Sequence, residues 1–596
     1  MEKNVVSMVE SRANLYKERT VLKYKDQKTG EYKGISWTDF WQQSKLAAQS
    51  ILALGYGKNA NVGIFSDNMP EWTIADIGIM ASQNVVVPIF GNASKDQVKF
   101  IVDHTEMRLL FVGNQNQLDI ASWTLQNTNS LERVVVFKNE LPLPDNRFVY
   151  WDDFLKNDSE GNYSKELATC LENINSSDLA TILYTSGTTG DPKGVMLKHG
   201  NFTQCFHIHD EPLDLTSDDI SLSFLPLSHI FERAWSFYLI YKGATNVYLE
   251  NPKTVIDEIK VIKPTVMCTV PRFFEKTFDG INHELAKWSP IKQKIFKWSF
   301  AQGALYSDFK SKQNSIPLIL KLKYGIAEKL VFNKFRKIFG GKIRAFPCSG
   351  AAISNHHLRF FHAAGIFINY GYGTTETTAT VSCFNPKIYD LNSCGSIMPS
   401  VDVKISDEGE ILVKGDTIFN GYYKNPEATQ KAIVDGWYKT GDKGYLTERG
   451  DLVMTDRIND IFKTSGGKFV SPQKLELLLL NDAYIEQALA IGDNRKFVTA
   501  LIIPSYINLR AQFNTYEFNA LSDEQLIKDP KVIDFYQQRI DDCMNELPQF
   551  ERVVKFKLIA EPFSIQNNGL TNTLKVRRKL ISGLYNDLIE EMYLSS

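Results

Sequence analysis

The chain has 596 residues, of which 43% are hydrophobic and 23% charged, with a formal net charge of -2. That length exceeds what one hydrophobic core serves, so at least two domains are expected. A near-neutral balance argues against a dedicated nucleic-acid binder, whose footprint is basic. The seven cysteines (Cys170, Cys205, Cys268, Cys348, Cys383, Cys394 and Cys543) are scattered without a C-x-x-C pair, which suits a reducing cytosol and offers no zinc site.

The first twenty residues, MEKNVVSMVESRANLYKERT, are amphipathic and carry acids, unlike a signal peptide. No run of about 18 apolar residues occurs anywhere, so no bilayer span is expected. From about residue 60 to 270, short β-rich runs (NVGIFSDN, VVVPIF, RLLFVG, RVVVFK) alternate with helical patterns such as EWTIADIGIMASQ. That alternation predicts parallel sheets covered by helices.

At 182–197 the chain reads ILYTSGTTGDPKGVML. A strand end followed by a Gly/Ser/Thr loop can aim backbone N–H groups and hydroxyls into one concavity, a nest for phosphate, to which Lys193 adds a point charge. The order Gly187, Gly190, Lys193, Gly194 is not the G-x-x-x-x-G-K-[ST] of a P-loop. The plain alternative is a floppy surface turn. Further on, HIHD (207–210) would present alternate side chains to a metal if it were a strand, but no third ligand is evident.

A long helical stretch, about 272–342, then interrupts the strands. Within 287–342 there are thirteen Lys/Arg but only Asp308 and Glu328 as acids, a local charge of +11 that leaves -13 for the remainder. Aromatic and aliphatic residues interleave with the lysines, as in IKQKIFKWSF. The segment is either a helical hairpin with a solvated basic face or a surface for anionic lipid headgroups.

KIRAFPCSG resumes the sheet. NYGYGTTETTA (369–379) is not G-x-G-x-x-G and could be only a glycine-bent turn. It also offers Tyr372 as a flat face for a purine, Gly373 for close backbone approach, the Thr374 and Thr375 hydroxyls, and Glu376 as a hard oxygen ligand for Mg²⁺. Residues 400–455 read as short strands and turns. In WYKTGDKGYL (437–446), T-G-D is a good turn, and Asp442 can accept both hydroxyls of a ribose. After Arg457 a new unit begins, with IEQALAIGD and FVTALIIPS as strands and two charged helices. The domain boundary is placed near Asp456, giving units 1–456 and 457–596.

Taken in order, YTSGTTGDPKG and the later motifs resemble the adenylate-forming enzymes: acyl-CoA synthetases, luciferases and nonribosomal peptide adenylation domains. The likeness extends over nearly the whole chain. It implies an α/β fold with a large N-terminal domain of stacked sheets, a β-barrel-like subdomain and a small mobile α+β C-terminal domain. It implies that Thr185, Ser186, Gly187, Thr188, Thr189, Gly190 and Lys193 hold phosphates. Gly350 and Ala351 of CSGAAIS would line the adenine opposite Tyr372, with Gly373, Thr374 and Thr375 beside it. Asp442 and Arg457 would contact ribose, and Glu376 and Thr185 the Mg²⁺.

In the same family, Lys463 and Gly466 of KTSGGK enter the site when the domain rotates, and Lys575 of NTLKVRRK reaches the α-phosphate and carboxylate. Two positions depart from the family pattern. Asn459 stands where the pivot usually carries Lys or Asp, and Asn572 where the T-P-T element has proline. LPLSHIFER and VPRFFEK resemble long-chain fatty acyl-CoA synthetases, with His229 and Phe231 at the gate of the acyl tunnel. The expected protein is an acid–thiol ligase using ATP, Mg²⁺ and coenzyme A on fatty acids. The alternatives are an acyl-AMP ligase serving a carrier protein and a non-catalytic binding module.

Overall fold

The computed structural model describes residues 2–158, 161–185, 192–458, 460–515, 518, 520–564, 567, 569–571 and 576–594. Its largest sheet has seven strands in the order Phe148–Tyr150, Arg133–Val136, Leu109–Val112, Asn61–Phe65, Val85–Ile89, Leu179–Thr185, Lys193–Lys198. The first six run parallel and the last is antiparallel. Alternate side chains feed two cores. Val86, Leu109, Phe111 and Val135 join the core on one face, and Val85, Val87, Leu110, Val112 and Val134 the core on the other. Double-sided burial explains why these strands are continuous apolar runs rather than alternating ones.

EWTIADIGIMA forms the helix Pro70–Ala81, with Pro70 in its first turn and every residue but Glu71 buried. Its Asp76 receives Arg233 from the helix Ile230–Lys242: Nε to Oδ2 is 2.8 Å and Nη2 to Oδ1 is 2.5 Å. Arg233 Nη1 also donates to Thr181 Oγ1 at 2.7 Å, so one fully buried guanidinium pins two helices to the central sheet.

Two further sheets stack alongside. One runs Ile220–Ser223, Thr245–Tyr248, Thr20–Lys25, Tyr32–Ser36; the other runs Ala345–Cys348, Phe367–Tyr372, Ser382–Cys383, Ser396–Ile397. The stretch 400–455, read as short strands and turns, is a five-stranded antiparallel sheet of Val401–Ile405, Glu410–Gly415, Ile433–Val434, Trp437–Leu446 and Leu452–Arg457. The small C-terminal domain is built on Ile485–Ile491, Val498–Pro504 and Val553–Leu558. Ala488, Ala500 and Ile502 face one of its cores and Leu489, Leu501 and Ile503 the other.

The basic stretch forms the helices Pro290–Ser311 and Leu318–Ala327, preceded by Pro271–Ala286. HIHD is not a strand. It lies inside the helix His199–Leu213, so His207 and His209 do not share a face as alternate strand residues would.

Candidate nucleotide and acyl site

The Gly/Ser/Thr loop bridges two antiparallel strands, not a strand and a helix: Thr185 pairs with Lys193 across the ladder. Ser186, Gly187, Thr188, Thr189 and Gly190 lie outside the described residues. The free edge of the strand Lys193–Lys198 is closed by a later segment. Asn420 N donates to Met196 O (2.9 Å), Met196 N to Gly421 O (3.1 Å) and Tyr423 N to Gly194 O (2.7 Å). This sets Tyr422 beside Lys193, whose Nζ lies 5.1 Å from its ring centroid. The Tyr422 hydroxyl donates to Glu376 Oε1 at 2.8 Å. Burial and the Glu376 carboxylate push this phenol's pKa up, so it stays a donor. One tyrosine therefore stands between the cation and the carboxylate that the two motifs contribute. GYYKNP gave no sequence signal for that role beyond a tyrosine pair before a turn.

The turn carrying Glu376 is tight. A Cβ on Gly373 would sit 2.1 Å from Ala379 O, so only glycine passes there. Thr374 N donates to Thr377 Oγ1 (2.9 Å), opening the short helical turn Thr375–Thr377. Before the turn, the Tyr372 hydroxyl donates to Asp442 Oδ2 at 2.6 Å. Asp442 is cross-strand partner to Arg457, whose Nε lies 3.4 Å from Oδ1. Asp442 is buried and its backbone N–H is held by Thr440 Oγ1 at 3.1 Å. One short turn thus links two clusters, Lys193–Tyr422–Glu376 and Tyr372–Asp442–Arg457. Gly350 follows the strand Ala345–Cys348 with φ +91°, and Ala351 O accepts from the Tyr370 hydroxyl at 3.3 Å.

Behind Tyr372 lies a cavity of about 50 Å³. Phe231, Trp235 and Tyr238 of one helix line it, Cys205 and His209 of another, and Gly371 of the glycine-rich strand. His229 is the N-cap of the helix that carries these aromatics: its Nδ1 accepts from Phe231 N at 3.2 Å. The lining also has polar members. His209 Nδ1 lies 2.7 Å from Cys205 O and Nε2 lies 3.1 Å from Thr380 Oγ1, which sets Nδ1 as the donor and Nε2 as the acceptor. Burial lowers its pKa and keeps the ring neutral. Asn369 also lines the cavity, 3% exposed, with no partner for its Nδ2 among the described residues.

Lys463 ends the short strand Phe462–Lys463 of the C-terminal domain and Gly466 sits in the turn that follows; Lys463 Nζ lies 5.5 Å from the Phe469 ring centroid and Ser465 N donates to Arg495 O. No described contact joins this turn to the Glu376 and Asp442 clusters. Asn459, Asn572 and Lys575 lie outside the described residues. Across the domains, Arg272 Nη2 and Lys276 Nζ of VPRFFEK meet Glu486 Oε1 at 2.8 and 3.0 Å.

Among the described residues no cluster of three or more His, Cys, Asp or Glu is suited to a metal ion. The half-buried Glu376 carboxylate, linked through Tyr422 to Lys193, nevertheless fits Mg²⁺, an ion that keeps waters and substrate oxygens as its remaining ligands.

Residues 9–423 match the family model described as AMP-binding enzyme, and residues 459–596 the AMP-binding enzyme C-terminal domain. Among curated relatives, the long-chain-fatty-acid--CoA ligase FadD15 of Mycobacterium bovis is 31% identical, covering 94% of this chain and 92% of its own. The peroxisomal long chain acyl-CoA synthetase 7 of Arabidopsis thaliana is 30% identical over 95% and 82%. Among solved structures, the anthranilate CoA ligase AuaEII in complex with anthranoyl-AMP superposes with TM-score 0.74 at 19% identity, covering 99% of both chains. The A domain of the Segniliparus rugosus carboxylic acid reductase, in complex with AMP and a carboxylic acid, gives 0.75 at 20% identity over 100% and 94%. The chain belongs to the AMP-binding enzyme family.

Proposed function

We propose that the protein is an ATP-dependent long-chain fatty acid–CoA ligase. The observation that carries the reading is the meeting of Lys193, Tyr422 and Glu376, one turn from Tyr372, Asp442 and Arg457, beside a largely apolar cavity. The relatives named as long-chain-fatty-acid--CoA ligases support the choice of substrate.

A carboxylate is a poor electrophile. Attack of its oxygen on the α-phosphorus of ATP forms an acyl-adenylate and expels pyrophosphate. Negative charge then accumulates on phosphate oxygens, which Lys193 and the loop 185–190 would answer. Glu376 and Thr185 would hold Mg²⁺, which would supply positive charge to neutralise part of it. Asp442 accepts from the ribose and Arg457 steadies it, while Gly350 and Ala351 face the adenine opposite Tyr372. Phe231 and Trp235 place the acyl chain, with His229 fixing the start of their helix.

In the second half-reaction the coenzyme A thiolate attacks the acyl carbonyl and AMP leaves. We assign this to a rotation of the unit 457–596 against 1–456, which withdraws Lys575 and brings in Lys463 and Gly466. The Glu486 contact with Arg272 and Lys276 would hold one of the two orientations. No helix among the described residues is long and apolar enough to cross a membrane. A cytoplasmic protein attached peripherally at the inner membrane face, through lysines of 287–342, fits the chain's charge distribution.

Purified protein given palmitate, ATP and Mg²⁺ should release pyrophosphate, and adding coenzyme A should release AMP and the thioester. Transfer to an acyl carrier protein in place of coenzyme A would favour the alternative acceptor. Lys575→Ala should lose about 10²–10³ in adenylation rate while still converting supplied acyl-adenylate to thioester. Equal loss in both halves would contradict domain alternation.

A further inference from the structure

The two basic helices carry large apolar side chains on their solvent side, which is unusual for helices packed on a protein. Pro290–Ser311 turns Phe296, Ser299, Gly303, Ser307 and Ser311 inward. A Cβ on Gly303 would lie 2.2 Å from Ala363 O, so this helix is seated closely and its outer face is fixed. That outer face carries Ile291 (72% exposed), Ile295, Trp298 and Leu305 at spacings of four, three and seven, a single stripe along the helix. Leu318–Ala327 buries only Leu320 and Ala327 and leaves Leu318 (81% exposed), Ile319, Leu322 and Ile326 outside. Of the twenty-three large hydrophobic residues exposed among the described residues, ten lie between Trp288 and Leu330. Scattered exposed leucines are ordinary, but two adjacent stripes mark a surface that meets another apolar phase.

The charges around the stripes narrow the choice of partner. Of the thirteen Lys and Arg in 287–342, only Lys287 and Arg336 have an ion-pair partner among the described residues, Glu284 and Glu328 respectively. Asp308, the other acid, is already held by Arg359. Lys292, Lys294 and Lys297 flank one stripe, and Lys321 and Lys323 the other, all exposed. A second copy of this chain would set +11 against +11. A nucleic acid would satisfy the lysines but give the leucines nothing. An anionic lipid leaflet matches both, with headgroups for the ammonium groups and acyl chains for the stripes.

We propose that the two helices form an insertion face, whose Ile/Trp and Leu/Ile stripes enter the acyl-chain boundary of an anionic leaflet. This builds on the peripheral attachment suggested above but differs in its physics. Headgroup adhesion alone is screened by salt; an inserted apolar ridge is not. The lysine stems reach outward along the ridge while their charges remain at headgroup level.

The test uses the full-length protein and vesicles of phosphatidylcholine with or without phosphatidylglycerol. Wild type should co-sediment with the anionic vesicles, and a substantial fraction should stay bound in about 0.5 M NaCl. Ile291→Glu/Leu318→Glu, two changes at largely exposed positions, should lower vesicle affinity at least about tenfold. The same variant should keep thermal stability and, on detergent-dispersed palmitate, activity within about twofold. Lys292→Glu/Lys321→Glu should weaken binding mainly at low salt. Complete release of wild type by salt, or vesicle binding by Ile291→Glu/Leu318→Glu equal to wild type, would overturn insertion, as would a dimer in solution that this variant dissolves. Vesicle insertion by a protein without ligase activity would leave the inference standing and refute the functional reading instead.

Discussion

The nucleotide-side cluster and the two basic helices use the same residue types to opposite ends. Around Glu376 each charged or phenolic group is held by another part of the chain: Glu376 by Tyr422, Tyr372 by Asp442, Asp442 by Arg457. Such groups have paid their ordering cost in advance and meet a ligand's charge without rearrangement. Across the segment 287–342 that holds the two basic helices, eleven lysines have no carboxylate partner among the described residues, and large apolar side chains of the helices lie in water. That surface has nothing to organise until its partner arrives. A paired charge thus marks where the protein acts alone, and an unpaired one, beside exposed apolar area, marks where a second phase completes it.

Breaking pairs should be costly and altering the unpaired surface cheap. The largest effect is expected at Arg233. Arg233→Ala leaves Asp76 buried without its cation and should cost about 3–5 kcal/mol of unfolding free energy, read by denaturant titration. Arg233→Met with Asp76→Leu, which removes both charges, should recover much of that loss.

Tyr422→Phe is next. It removes the donor to Glu376 but keeps the ring beside Lys193, and a hydrogen bond to a charged group contributes about 1.5–3 kcal/mol. A roughly tenfold or greater fall in kcat with little change in the KM for fatty acid is expected if Tyr422 positions Glu376. A change confined to stability would make it merely structural.

Acid should separate interior from surface as well. Burial pushes the pKa of His199 and His362 down to about 4, below the ordinary value of about 6.5. Both are neutral when folded, so stability is untouched above pH 6.5. Between about 6.5 and 4 the unfolded chain takes up the protons, and each site lowers stability by about 1.4 kcal/mol per pH unit. His362→Gln should flatten the profile in that window. Lys292→Glu/Lys321→Glu should shift stability by less than about 0.5 kcal/mol.

Much of this was legible in the amino-acid order. Strands such as VVVPI declare themselves because both faces are buried, and the helix EWTIADIGIMA because proline opens it. Lys193, Glu376 and Asp442 were legible because their motifs combine residue types with few other uses. The role of Tyr422 was not. It depends on an edge-to-edge pairing of 420–423 with 194–196, a contact across more than two hundred residues that leaves no local pattern. The place of His209 was not legible for a related reason. Alternating histidines in HIHD mimic a strand, and only tertiary packing shows a helix whose His209 lines a cavity. The basic segment was legible in charge but not in exposure, since a helix rich in leucine and lysine reads alike whether its leucines point inward or out.

The central claim is that the Lys193–Tyr422–Glu376 group with Asp442 grips the nucleotide's phosphates and ribose so that a fatty carboxylate can displace pyrophosphate. Palmitate-dependent exchange of labelled pyrophosphate into ATP, measured for wild type and Glu376→Gln without coenzyme A, tests it most directly. The account predicts clear exchange in wild type and a loss of about 10²–10³ in the variant. Exchange undiminished in Glu376→Gln, or absent from wild type with every fatty acid offered, would contradict it.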